Sequence, residues 1–226
     1  MRVVPAERQI TSIVLLGSFN PAIFSPLWFG HFGLLPLSEA ESARVDVISP
    51  AIAQFSVDWL TAVVLTDRCT FSAVGPERRE LLRDLTVGVF RLLPHTPVVA
   101  VGFNHDAHFS LRSEERWHQV GHALVPKGFL EGRMRSPGTR SVVVEGQRPD
   151  GREGRVYLQI EPSLVVKNGL FVRVNDHFQL EKSPSGTAPS GTAPSGTEAL
   201  LELLNDAWEP SLERAEELMW ATLSVR

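Results

Sequence analysis

Cysteine is nearly missing from this chain of 226 residues: Cys69 stands alone. A lone cysteine closes no internal disulfide and builds no cysteine-rich zinc site. Cys69 lies in an apolar run, so it is expected as a small buried thiol rather than a nucleophile. Lysine is scarce too, at Lys127, Lys167 and Lys182 only. A net charge of -4 gives no overall pull toward nucleic acid or an anionic membrane. Long apolar runs are also missing. No window approaches the ~20 apolar residues of a membrane helix. The run from Ile13 to Leu16 is too short for the apolar core of a secretion signal. The expected location is cytoplasmic, with no membrane partner.

The common catalytic signatures are missing as well. There is no Walker-type phosphate loop, no dinucleotide fingerprint after a strand, no Gly-x-Ser-x-Gly and no zinc-finger spacing. No cofactor is predicted from motifs.

What is present reads as a folded body. A hydrophobic content of 43% against 21% charged residues is ordinary for a globular chain, and the length suits one large domain or two small ones. Gln9 to Phe19 is β-branched and apolar, which predicts a first strand. Asn20-Pro21 resembles a helix cap followed by proline. The aromatic segment from Ala22 to Leu35 predicts a short or broken helix, buried in the core or at a subunit contact. Strands are predicted between Val45 and Val74. Pro76 to Leu93 predicts a helix with Leu81, Leu82, Leu85, Val89 and Leu92 on its apolar stripe. Ser113 is placed to cap a helix from Glu114 to Leu124. Beyond it, strands are expected at Val142 to Glu145, Val156 to Ile160, Leu164 to Lys167 and Phe171 to Leu180, with turns at Pro149-Asp150-Gly151 and Asn168-Gly169.

Two stretches echo each other: Val101 to Leu111, and Val172 to Leu180. Removing two residues from the first aligns Asn104 with Asn175, His108 with His177, Phe109 with Phe178 and Leu111 with Leu180. Two is the repeat of a β-strand, so the insertion preserves every side chain's face. Phe109, Leu111, Phe178 and Leu180 then point into a core, and Asn104, His108, Asn175 and His177 point away. His105 and Asp176 fall on the apolar faces, where a His105–Asp176 clasp would satisfy both. The echo also suggests two pseudo-repeated β-units, residues 45–111 and 140–180.

Residues 183–197 form a tandem Ser-Gly-Thr-Ala-Pro repeat with almost no apolar surface, which reads as a flexible linker. It separates an α+β body (residues 1–182, with halves 1–125 and 126–182) from a C-terminal helical segment (198–226). That segment carries Leu200, Leu201, Leu204, Trp208, Leu212, Ala215, Leu218 and Met219, with a kink or break expected near Pro210. The predicted fold class is α+β: a mainly antiparallel sheet with helices on one face.

Three clusters carry potential chemistry. Asp106, His108 and His177 supply two imidazoles and a carboxylate, which suits a divalent metal or acid–base work in a hydrolase. Their alternative role is the polar outer face of a sheet. Glu115, His118 and His122 lie on one side of a helix, and His at i and i+4 is a zinc spacing. The metalloprotease Glu is absent between them, so they also read as residues flanking a packed stripe. Arg133, Arg135, Arg140, Arg148, Arg152 and Arg155 form an arginine-bearing stretch interspersed with carboxylates and without stacking aromatics, so nucleic acid is a minor expectation. The functional expectation is a non-enzymatic interaction or assembly protein, self-associating or docking a partner through its apolar C-terminal helix.

Overall fold

A computed structural model of the chain describes residues 5–180 and 196–225. Nine strands form one sheet in the order β2-β3-β4-β5-β1-β6-β9-β8-β7, every neighbouring pair antiparallel. The strands are β1 (Ala6–Gly17), β2 (Arg44–Ile48), β3 (Ile52–Ser56), β4 (Leu60–Leu65), β5 (Arg68–Val74), β6 (Val98–Ser110), β7 (Val142–Gln147), β8 (Gly154–Pro162) and β9 (Gly169–Gln179). The helices are α1 (Pro26–His31), α2 (Leu37–Glu41), α3 (Arg79–Leu92), α4 (Glu114–Leu124), α5 (Gly196–Asp206) and α6 (Trp208–Ser224). The fold is α+β, and no helix among the described residues is long and apolar enough to cross a membrane.

Alternation along the strands sorts the sheet into two faces. Ile13 and Leu15 of β1, Phe103 and Phe109 of β6, and Val174 and Phe178 of β9 are buried on one face. The helices cover that face. Leu82, Leu85, Val89 and Phe90 of α3 pack there with Leu200, Leu203, Leu204, Trp208 and Leu212 of the last two helices. Val120 of α4 joins Ala215, Met219 and Leu223 of α6 in a second cluster over β8 and β9. The Ala22 to Leu35 segment enters the core: Phe24 and Phe29 interlock with Phe55 and Phe71 at ring distances of 5.3 to 6.5 Å. The opposite face of the sheet carries half-buried side chains such as Ser12, Asn104, Asn175 and Gln159.

Local chemistry sets the boundaries. Asn20 Oδ1 accepts from the Ala22 amide at 3.2 Å, and Ser113 Oγ accepts from the Arg116 amide at 3.1 Å, as their capping chemistry requires. The stripe of α3 is rotated slightly from the expected one. Leu81 and Leu92 are exposed, and Phe90 takes the inward position. Leu164 to Lys167 is not a strand. Ser163 Oγ accepts from the amides of Val165 and Val166 at 3.2 and 2.9 Å, and Asn168 adopts φ +51°, which folds this stretch into the β8–β9 hairpin loop. Local closure there overrides β-propensity, and Leu164 is 97% exposed.

The C-terminal segment packs on its own chain. α5 and α6 bury their apolar stripes in the core of the body, and the break between them falls at Ala207, with Pro210 in the first turn of α6. The end of the repeat is ordered, because Gly196 and Thr197 begin α5 and Thr197 Oγ1 donates to Thr96 O at 2.7 Å. Residues 183–195 of the expected linker lie outside the described residues. A single sheet runs through both expected halves of the body. The two units do not share a strand path: β9 follows β8 by a hairpin, whereas β6 is reached from β5 across α3 with β1 inserted between them.

Candidate functional site

The echo strands β6 and β9 are neighbours, with Asn104 directly opposite Asn175. Asn175 Nδ2 donates to Asn104 Oδ1 at 2.5 Å. Two residues along, Arg173 holds Asp106 with two hydrogen bonds at 2.8 and 2.5 Å. His108 Nδ1 meets Ser163 Oγ at 2.9 Å and its ring lies 5.0 Å from that of Phe171. Burial, with Arg8 nearby, pushes the His108 pKa down, and burial with Arg148 does the same to His177.

All three of Asp106, His108 and His177 face away from the helices, but they do not converge. His177 sits opposite Gly102, six residues along β6 from His108. At the rise of a strand that is about 20 Å, too far for one metal to bridge two imidazoles. Asp106 is already occupied by Arg173. Among the described residues no group of three or more His, Cys, Asp or Glu is placed to hold a metal ion.

The two polar residues on the covered face find different partners from those the sequence suggested. Asp176, fully buried, is held by Arg148 from the β7–β8 turn and Arg214 from α6, and Asp150 meets the same Arg148 at 2.5 Å. The Arg148 guanidinium also lies 3.6 Å over the Phe178 ring. His105 instead shares a 3.0 Å hydrogen bond through Nε2 with Ser211 of α6. No His105–Asp176 clasp forms, because Asp176 pairs across the ladder with Phe103 and turns to the arginines.

The second cluster leads to a different place. Glu115 is exposed on α4, and its carboxylate stays below the usual range through hydrogen bonds to its own backbone and to Ser113. His118 and His122 sit at the mouth of a cleft of about 330 Å³ between α4 and the β7–β8 strands. Trp117, Leu124, Val142, Ile160, Pro162 and Leu170 give it an apolar lining. Lys127 stands at its edge, its Nζ donating to the carbonyls of Gly121 and Val125 at 2.8 and 2.9 Å, which caps the C-terminal end of α4. Thr139 Oγ1 donates to the same Gly121 carbonyl at 3.1 Å and ties the approaching loop to the helix. An apolar pocket with a few polar groups at its mouth is the usual form of a binding site.

The surroundings of the cleft expose apolar side chains. Val144 shares the face of the lining residue Val142, whereas Val143 points to the open face of the sheet; Leu164 and Val165 lie in the loop after Pro162, and Met134 precedes Ser136; each is more than half exposed. Exposed apolar residues grouped around a pocket mark an interaction surface.

The two edges of the sheet differ. β2 carries a register shift between Val45 and Val47, and Asp46 on it is tied to Arg44 and to Gln54 of β3. Bulges and charges are how proteins protect an edge. β7 pairs with β8 in unbroken register from Val142 to Gln147, and its one charge, Glu145, is bound by Arg155 at 2.9 Å. No strand among the described residues pairs with its outer side.

The sequence reading found this strand but not its place at the edge, since three consecutive valines give no sign of strand order. The cleft escaped it too, because its walls come from residues 117 to 170, apart in sequence and joined only by the fold. Compared with known proteins, the sequence matches no family model and no curated protein.

Proposed function

We propose that this chain is a cytoplasmic, non-enzymatic interaction protein that takes an extended segment of another polypeptide as a tenth strand on β7, with one side chain of that segment seated in the cleft beside α4. The observation that carries the reading is the β7 edge itself: regular, rich in valine, lacking the bulge that guards β2, and adjoining an apolar pocket. Main-chain hydrogen bonds along an edge supply affinity, and a pocket for one side chain supplies selectivity. The C-terminal helices serve the fold instead, because their apolar stripes are spent inside the core.

The test is hydrogen exchange on the full chain with a binder selected from a displayed library of random dodecapeptides. Outward-facing amides between Val142 and Gln147 exchange quickly in the free chain and slow on binding. Binders that leave those amides unchanged would remove the reading. So would Leu124→Asp and Ile160→Asp variants that stay folded and bind as well as the parent.

A further inference from the structure

The approach to β7 is positively charged, against the sign of the whole chain. The net charge of the protein is -4. Yet the stretch between α4 and β7 carries Lys127, Arg133, Arg135 and Arg140 against Glu131 alone. The three arginines are exposed, and none forms a salt bridge among the described residues. Arg133 reaches only backbone carbonyls, Phe129 O at 3.2 Å and Glu131 O at 3.5 Å. The other three arginines of the original arginine-bearing stretch are engaged: Arg148 with Asp176, Arg152 with Asp206 at 3.8 Å, and Arg155 with Glu145. Free positive charge in this part of the chain is therefore concentrated on the loop that leads into the edge strand. Of the carboxylates beside the site, Glu145 is paired with Arg155, while Glu161 on the cleft lining accepts a hydrogen bond from the neutral Gln159 Nε2 at 2.7 Å and keeps its charge, one against the three unpaired arginines.

From this, and resting on the reading that β7 accepts an added strand, we infer that the partner segment is acidic: an extended stretch with one large apolar side chain for the cleft and flanking Asp or Glu for Arg133, Arg135 and Arg140. The sign of the loop also selects between occupants. An antiparallel β7-on-β7 pair of two copies would set the two arginine loops at opposite ends of the six-residue strand, each beside the other copy's mixed-charge β7–β8 turn with Arg148, Asp150, Arg152 and Glu153 rather than beside an acidic stretch. An acidic segment meets them with complementary charge. The apolar lining of the cleft favours a peptide over a nucleic acid, because Trp117, Leu124 and Ile160 offer a side-chain pocket and the strand edge offers main-chain groups.

The same displayed library tests this, with the full chain as bait and with an Arg133→Glu, Arg135→Glu, Arg140→Glu triple variant as counter-bait. Selected peptides should share a Phe, Trp, Leu or Ile with at least two Asp or Glu within four positions. Their affinity should drop about tenfold or more on the triple variant and weaken several-fold between low and moderate salt. Peptides that protect the β7 amides but show no acidic bias, and bind the triple variant equally, would overturn the acidic assignment and leave the strand-addition reading standing. Failure of any selected peptide to protect β7 would remove both. Displacement of a bound peptide by a neutral-sequence single-stranded oligonucleotide, together with tight oligonucleotide binding to the parent and not to the triple variant, would assign the arginines to nucleic acid and overturn the inference. Parent protein that sediments as a dimer, and becomes a monomer on charge-preserving Val143→Thr and Val144→Thr changes, would assign the edge to self-pairing and do the same.

Discussion

Acid loosens this protein through one buried ring. His105 is 3% exposed on the helix-covered face of β6, bonded through Nε2 to Ser211 and close to the Trp208 ring at 6.2 Å. Its Nδ1 has no partner among the described residues. Burial first, and the Arg79 guanidinium second, push its pKa down from 6.5 to about 3. The unfolded chain takes up a proton on this ring as the pH falls through 6.5, while the folded chain refuses it until about 3. Between those values the unfolded state binds the additional proton, so stability falls as the pH falls. One pKa unit corresponds to about 1.4 kcal/mol, so at pH 5 the ring alone removes about 2 kcal/mol relative to pH 7.5. His108 and His177, also lowered by burial, act with the same sign and with smaller weight because both are more exposed.

The assay is urea unfolding of the parent and of His105→Gln at pH 7.5, 6 and 5. Contributions from carboxylates are common to both proteins and cancel in the difference. The parent should lose about 2 kcal/mol more than the variant over that range, even though the variant starts lower because it disturbs the Ser211 contact. Equal acid slopes in the two proteins would show that the ring is not held neutral in the folded state, and the argument from burial would fail.

Other perturbations have equally definite outcomes. Asp176→Ala removes the fully buried carboxylate that Arg148 and Arg214 share and leaves Asp150 as their remaining acidic partner, so it should cost about 2–3 kcal/mol in urea unfolding, less than a pair left with no counter-charge; a loss below about 1 kcal/mol would mean that the carboxylate does not hold the arginines. A chain ending at Lys182 loses Leu200, Leu203, Leu204, Trp208 and Leu212 from the core and should aggregate in light scattering; a folded monomer would show that the body closes without them. Gly154 has φ +136°, and an added Cβ would sit 2.0 Å from His177 O, so Gly154→Ala should lower the unfolding midpoint by the equivalent of about 1–3 kcal/mol. Leu164→Asp changes a side chain 97% exposed and should alter stability by less than about 0.5 kcal/mol, leaving it a clean probe of binding beside the cleft.

The parts of the fold that were legible in the sequence are those decided by neighbours in the chain. The alternation in β6 and β9 placed Phe109 and Phe178 inside and Asn104 and Asn175 outside, because strand geometry alone requires it. Caps at Asn20 and Ser113 were legible for the same reason. The sequence also required a partner for buried Asp176, but the partners come from 28 residues before it and 38 after, so no local pattern identifies them. Leu164 to Lys167 misled in the opposite sense: its composition favours a strand, and a serine hydroxyl one residue earlier closes it into a loop. His108 and His177 share a face, as expected, yet their separation depends on antiparallel register, which a pair of matching motifs does not encode.

For the proposed partner segment, energetics favour the β7 edge over the open face of the sheet. Polar groups at the centre of that face satisfy one another: Asn175 with Asn104, Arg173 with Asp106, His108 with Ser163, and Gln159 with Glu161. A partner laid across them would desolvate these pairs and gain little, because their hydrogen bonds are already made. The outer side of β7 has no strand beside it among the described residues. Its outward amides and carbonyls exchange water for an incoming strand without breaking any contact within the protein, and Val143 and Val144 add apolar area as they are covered. The same reasoning explains why β2 does not compete. Its bulge interrupts the regular spacing that an added strand would need, and Asp46 on it is already bonded to Arg44 and Gln54.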